Sequence, residues 1–129
     1  MYNTIWYQNL TKPFLAPPNW LFGVVWPLLY VMIFVSLIFY IKGKAYNKGS
    51  GYLFFILQLL LNFLWSPVFF IMQNITAALV VVILMDLFLI LTIRKFYTVS
   101  KIAAYLLIPY LIWIIFATYL NAGYLVLNL

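Results

Sequence analysis

The stretch Ile75–Ile93, ITAALVVVILMDLFLILTI, decides the class of fold: it is nineteen residues long and holds a single charge, Asp86. A helix needs about 20 such residues to cross a hydrocarbon core about 30 Å thick, and inside lipid only a helix or a closed barrel satisfies every backbone N–H and C=O. Three further segments meet the same condition: Trp20 to Ile41, Tyr52 to Met72 and Ile102 to Leu127. Lys42-Gly43-Lys44, Lys48-Gly49-Ser50-Gly51 and Arg94-Lys95 to Lys101 mark breaks, and Gln73-Asn74 leaves room only for a tight hairpin. The expected fold is an all-α integral membrane protein with four transmembrane helices. It forms a single domain over residues 1–129, with an aromatic and proline-containing loop over 1–19.

The rest of the chain agrees with lipid as its solvent. Of 129 residues, 69% are hydrophobic, 22% aromatic and 6% charged. A soluble domain of this size carries charge on about a quarter of its residues, so seven basic groups and one acid cannot keep it in water. With no cysteine and no histidine there is no thiolate or imidazole to serve as nucleophile, general base or metal ligand, and no obligatory cofactor or metal is expected. The net charge of +6 does not point to nucleic acid, because the basic residues stand singly or in short groups between apolar runs.

Their distribution predicts an orientation. Four crossings put Met1–Asn19, Gln73-Asn74 and the C-terminus on one side, which holds only Lys12. The other side holds Lys42, Lys44, Lys48, Arg94, Lys95 and Lys101. By the positive-inside rule the basic loops 42–51 and 94–101 are cytoplasmic and both termini are outside; the expected location is a bacterial inner membrane. Residues 1–19 lack the basic n-region, apolar h-region and cleavage site of a signal peptide. Trp6, Tyr7, Phe14 and Leu15 among Pro13, Pro17 and Pro18 suggest a loop lying on the bundle mouth.

Several residues are not explained by lipid. Trp20 has the position of an interfacial aromatic, but Trp26, Trp65 and Trp113 fall too deep for a belt at 1.5 Å per residue. Asn62 and Asp86 fall close to the midplane and Asn121 about two turns outward, all costly unless they face protein or a cavity. On the last span Tyr110, Trp113, Ala117, Asn121 and Tyr124 recur at intervals of three and four. Gln58, Asn62, Trp65 and Phe69 do so on the second, and Gly23, Trp26, Tyr30 and Phe34 on the first. Such stripes are ordinary helix packing or, taken jointly at one depth, the walls of an apolar pocket with a few polar anchors. Pro27, Pro67 and Pro109 lie inside spans, where kinks leave space. Asp86 reads either as a proton-coupling carboxylate or as a buried acid bonded to a neighbouring helix.

Five motifs in order resemble the TspO/MBR family, the tryptophan-rich sensory proteins related to the mitochondrial translocator protein. They are Trp6-Tyr7-x-x-Leu10-x-Lys12-Pro13; Pro17-Pro18-x-Trp20-x-Phe22-x-x-Val25-Trp26-x-x-Leu29-Tyr30; Gln58-Leu59-x-x-x-Asn62-x-x-Trp65-Ser66-Pro67-x-Phe69-Phe70; Ala77-Ala78 to Asp86; and Pro109-Tyr110-Leu111-x-Trp113-x-x-Phe116-Ala117-x-x-Leu120-Asn121. The family fold is a five-helix bundle whose first helix precedes the Trp-Tyr loop; Met1 stands just before that loop here, and Leu15 replaces a frequent Trp. The resemblance thus implies either that the chain as given is truncated or mis-started, or that it is a four-helix variant with an open side or a partner helix filling it.

The resemblance also implies binding of tetrapyrroles such as protoporphyrin IX and haem, or of sterol-like molecules, beneath the first loop. Trp6, Tyr7, Asn62, Trp65 and Phe69 match pocket positions, and Ala117 matches a place where bulk affects ligand handling. Trp26 and Trp113 match tryptophans linked to light-dependent porphyrin breakdown. With Trp20, Tyr30 and Asn121 these make up the candidate ligand residues. The family's homodimers imply a second copy against 75–93, where Ala77 and Ala78 permit close approach. Leu37-x-x-Tyr40-x-Lys42 and Leu91 to Tyr97 to Lys101 satisfy a loose sterol pattern of little specificity. Three functions remain open on these residues: a porphyrin-binding sensor, a photochemical degrader using Trp26 and Trp113, and a proton-coupled transporter using Asp86.

Overall fold

The computed structural model describes residues 10, 19–44 and 48–128. The described residues form four long helices, α1 (Asn19–Lys42), α2 (Gly49–Ser66), α3 (Ile75–Val99) and α4 (Lys101–Leu127), with a π-helical segment, Pro67–Ile71, continuing α2. Each is long and apolar enough to cross a membrane, the second together with its π-helical extension. The chain is all-α, and its outward faces are apolar: Leu28, Val31, Ile38, Leu60, Leu87 and Ile112 are all exposed. That inversion of the soluble pattern is what a lipid solvent requires.

The extensive seams run α1 to α4, α4 to α3 and α3 to α2, so α1 and α2 form the two ends of the row. On α1 the buried residues Leu29, Ile33, Ser36 and Tyr40 follow helical spacing. Ser36 lies where small residues let the backbones approach, and its hydroxyl donates to the carbonyl of Ala103 on α4 at 2.6 Å. At the basic end an aromatic cluster fills the interior, with Tyr40 stacked on Phe96 at 4.0 Å between centroids and Phe55 on the other side of Phe96 at 5.7 Å. Gly51 is required there, because a Cβ would collide with the Tyr40 hydroxyl. Lys48 closes the α1–α2 turn by donating to the carbonyls of Ile41 and Gly43, both at 2.8 Å, where the end of α1 leaves acceptors unpaired.

Beside Gly49-Ser50-Gly51, expected as a break but opening α2, two boundaries differ from the sequence reading. The second span keeps α geometry only to Ser66. Pro67 supplies no N–H, and the ladder beyond it lengthens to five residues, with Met72 N–H donating to the Pro67 carbonyl at 3.0 Å. The chain then reverses through Gln73, whose φ is 54°, and Asn74, whose side chain accepts from Ala77 N–H at 3.0 Å and caps α3. The second difference concerns Arg94 and Lys95, expected in a loop. They stand on the last turns of α3, because residues 94–100 contain neither Gly nor Pro to stop it. Ser100 alone separates the helices, capping α4 through Ala103 N–H at 3.2 Å. At 25 and 27 residues α3 and α4 span about 37 and 40 Å, enough to carry the basic ends out of the hydrocarbon.

Of the two alanines on α3, Ala78 is fully buried among Val68, Phe69, Phe70, Leu120 and Tyr124. Its small size is used inside the chain and does not offer a surface to a second copy.

Candidate functional site

The half of the bundle away from the basic end holds a partly open cavity of about 270 Å³. Four helices contribute. Trp26 and Tyr30 come from α1, Asn62, Trp65 and Ser66 from α2, Phe69 and Phe70 from the π segment, and Val82 and Met85 from α3. Trp113, Ile114, Ala117, Leu120, Asn121 and Tyr124 come from α4. Leu10 packs against the cluster of Phe69, Phe70 and Tyr124 that forms one end of the cavity.

The walls are aromatic. Trp113 meets Trp26 edge to face at 6.3 Å between centroids, and Trp26 lies 5.8 Å from Tyr30. On the other side Trp65 stacks on Phe69 at 5.2 Å, and Phe70 meets Trp65 at 89°. Ala117 stands one turn beyond Trp113 on the same face of α4, so only a methyl group occupies the space above that indole. The π segment contributes the consecutive pair Phe69 and Phe70 to the cavity.

The amides expected as polar anchors hold the walls together. Asn62 accepts from the Tyr30 hydroxyl at 2.6 Å and donates to the Tyr110 hydroxyl at 2.5 Å. Tyr110 in turn donates to Gln58 Oε1 at 2.9 Å, and Gln58 closes on the Phe55 carbonyl at 2.9 Å. This chain of bonds joins α1, α2 and α4. Asn121 accepts from the Trp65 indole N–H at 2.9 Å and donates to the Ile75 carbonyl at 3.0 Å, joining α4 to α2 and α3. A primary amide has two donor hydrogens, so Asn62 and Asn121 each keep one N–H beyond these bonds.

Of the candidate ligand residues, Trp26, Tyr30, Asn62, Trp65, Phe69, Trp113, Ala117 and Asn121 are brought together around this one cavity. Trp20 is not: it is 66% exposed at the start of α1, the position of an interfacial aromatic. Trp6 and Tyr7 lie outside the described residues. Tyr110 belongs to the polar chain rather than to the lining, and Phe34 turns outward at 51% exposure. Steps of four advance about 40° around a helix, so Phe34 has left the face that Trp26 defines, and Ile33 takes the interior place. Pro27 and Pro109 lie within α1 and α4 on exposed faces, and Pro67 opens the π segment. Asp86 does not line the cavity; its Oδ2 lies 2.6 Å from the Thr118 hydroxyl on α4. Tyr40, central to one loose sterol pattern, is buried in the aromatic cluster. Of the lining residues, Ser66, Phe70, Val82, Met85, Ile114, Leu120 and Tyr124 were not among the candidates; Val82 and Met85 were hidden because α3 is apolar on nearly every side and its period shows no face.

A model of the TspO/MBR family matches residues 1–127. The chain is 47% identical to the tryptophan-rich protein TspO of Archaeoglobus fulgidus, over 95% of this chain and 80% of that protein. It is 40% identical to the tryptophan-rich sensory protein of Cereibacter sphaeroides, over 95% of this chain and 77% of that one. With the human translocator protein it shares 40% identity over 90% of this chain and 70% of that one.

The polar chain through Asn62 has a measurable consequence. Asn62→Leu keeps the branched shape but leaves the Tyr30 hydroxyl without its acceptor and the Tyr110 hydroxyl without its donor, and it is expected to cost about 1–3 kcal/mol. A lowered melting temperature in detergent checks this; an unchanged one would show that the bonds contribute nothing to holding the helices together.

Proposed function

The chain belongs to the TspO/MBR family of integral membrane proteins, and on that premise we propose that its aromatic cavity binds a flat tetrapyrrole such as protoporphyrin IX or haem in a sensory or sequestering role. The observation that carries the reading is the lining itself. Three indoles, Trp26, Trp65 and Trp113, with Phe69 and Tyr30, surround one apolar space over which Ala117 leaves a gap. Aromatic faces stack on a planar macrocycle, and the remaining N–H of Asn62 or Asn121 is a donor for its polar edge. A volume of about 270 Å³ stands near the lower end of the range for small-molecule sites, so a whole macrocycle enters edge-first with part of it projecting past the walls.

Titration with protoporphyrin IX, followed by tryptophan fluorescence, is expected to give saturable quenching. Ala117→Phe fills the gap above Trp113. It is expected to weaken binding by at least about tenfold while leaving the melting temperature unchanged or raised. Absence of saturable quenching in the parent removes the proposal. If the face is tightly packed, the same substitution overpacks it, costs about 1–3 kcal/mol of stability and leaves affinity intact.

The distribution of charge supports a cytoplasmic location for the end that carries Lys42, Lys44, Lys48, Arg94, Lys95 and Lys101, with the cavity toward the opposite side. Because the chain has no cysteine, Lys44→Cys gives a single label site. An impermeant maleimide is expected to react in inverted inner-membrane vesicles and not in intact spheroplasts; the reverse would invert the orientation.

A further inference from the structure

Asp86 is the only side-chain carboxyl in the chain, and it stands mid-helix on α3, away from the cavity, against Thr118 of α4. Its surroundings can be read by counting hydrogens. The Thr118 Oγ lies 2.6 Å from Asp86 Oδ2 and 2.9 Å from the carbonyl oxygen of Ile114. A hydroxyl has one hydrogen to donate, and a carbonyl oxygen has none. If Asp86 were ionised, the one Thr118 hydrogen would have to serve both contacts as a three-centre bond. Oδ1, which is enclosed and has no hydrogen-bond partner, would be left as an unpaired anionic oxygen. If Asp86 carries a proton on Oδ2, both contacts close at once: the acid O–H donates to Thr118 Oγ, and the Thr118 O–H donates to Ile114. Oδ1 is then a neutral carbonyl oxygen, far less costly to enclose in an apolar medium than half of a carboxylate.

We infer that Asp86 is a proton-binding site, occupied at neutral pH, in which the neutral acid donates to Thr118 and fastens α3 to α4 directly behind the cavity wall. Met85 and Ala117, the sequence neighbours of the two bonded residues, both line the cavity, so the bond fixes the spacing of that wall. A metal cation does not suit the same oxygens. Ligands sharing an ion at about 2.4 Å and a right angle lie about 3.4 Å apart, well beyond the 2.6 Å found here.

Among the described residues no basic group on α2, α3 or α4 stands near Asp86. On α3 itself the nearest cation is Arg94, eight residues away, or about 12 Å along the helix. From α4 the titratable residues are Lys101, Tyr105, Tyr110, Tyr119 and Tyr124, and Lys101 stands seventeen residues, about 25 Å, from Thr118. From α2 the one titratable residue is Tyr52, at the basic end, and the π segment has none.

The single carboxyl makes the test direct. Infrared spectra of the full chain at neutral pH, in an alkyl glycoside micelle that has no carbonyl of its own, are expected to show a protonated-carboxyl C=O band. The band should shift in D₂O, vanish in Asp86→Asn and move to higher frequency in Thr118→Val, which removes the acceptor. Asp86→Asn, whose amide N–H replaces the acid O–H, should melt at the parent temperature throughout the mildly acidic to mildly alkaline range. If Asp86→Asn instead removes a carboxylate band and no protonated one, the acid is ionised and the inference is overturned. Should Thr118→Val not fold, Thr118→Ser keeps the hydroxyl and is expected to leave the band where the parent has it; a shifted band would overturn the assignment of Thr118 as acceptor.

Discussion

In a bundle whose lipid surroundings are as apolar as its interior, burial of hydrocarbon cannot hold helices in register, and the Asn62 amide takes over that task. From the last turns of α2 it accepts from Tyr30 on α1 and donates to Tyr110 on α4, and Tyr110 passes the connection back to Gln58. The extensive backbone seams leave α1 and α2 at opposite ends of the row. Long polar side chains bridge those ends, helped by Tyr30 lying parallel to Phe63 at 6.1 Å. A bridge of that length leaves space beside it, and the cavity occupies that space. Asn121 makes a second tie nearer the α2–α3 turn, holding the Trp65 indole by its N–H. The polar residues of the site thus act first as structure, and the site is a consequence of where they set the helices.

The two halves of the molecule differ in how they fill their interior. Toward the basic end Tyr40, Phe55 and Phe96 stack into a solid core, with Gly51 making room for Tyr40. In the other half the large side chains stand around the edge of a space. Trp113 and Trp26 meet edge to face, and Ala117 offers nothing to fill the gap. The proposed tetrapyrrole would place a planar ligand against the indole rings of that space.

Much of this was legible in the sequence, for reasons that differ by residue. Helix number followed from the length of the apolar runs, since the hydrocarbon thickness sets that length. Trp26, Asn62, Trp65 and Trp113 drew notice because a polar or indole group deep in a span needs a partner that lipid does not provide, and Ala117 because it stands between Trp113 and Asn121 on one stripe and matches a family position. The stripe on α1 held for Trp26 and Tyr30 and failed at Phe34, where repeated steps of four had drifted off the face. Met85 and Val82 were invisible, as α3 is apolar all round and period carries information only where two sides differ. The π turn after Ser66 was not read either. Pro67 signalled a disturbed helix, but a kink and a wider turn have the same sequence signature, and only the bond from Met72 to Pro67 distinguishes them.

The central claim, that ligand occupies the space between Trp26, Trp65 and Trp113, is tested most directly by labelling the five tryptophans with 5-fluorotryptophan and following their ¹⁹F resonances during addition of protoporphyrin IX. The resonances of Trp26, Trp65 and Trp113, each assigned by replacement with Phe, are expected to shift saturably and together while that of exposed Trp20 stays in place. Movement of Trp20 without the three cavity indoles would put the ligand on the lipid-facing surface and contradict the account.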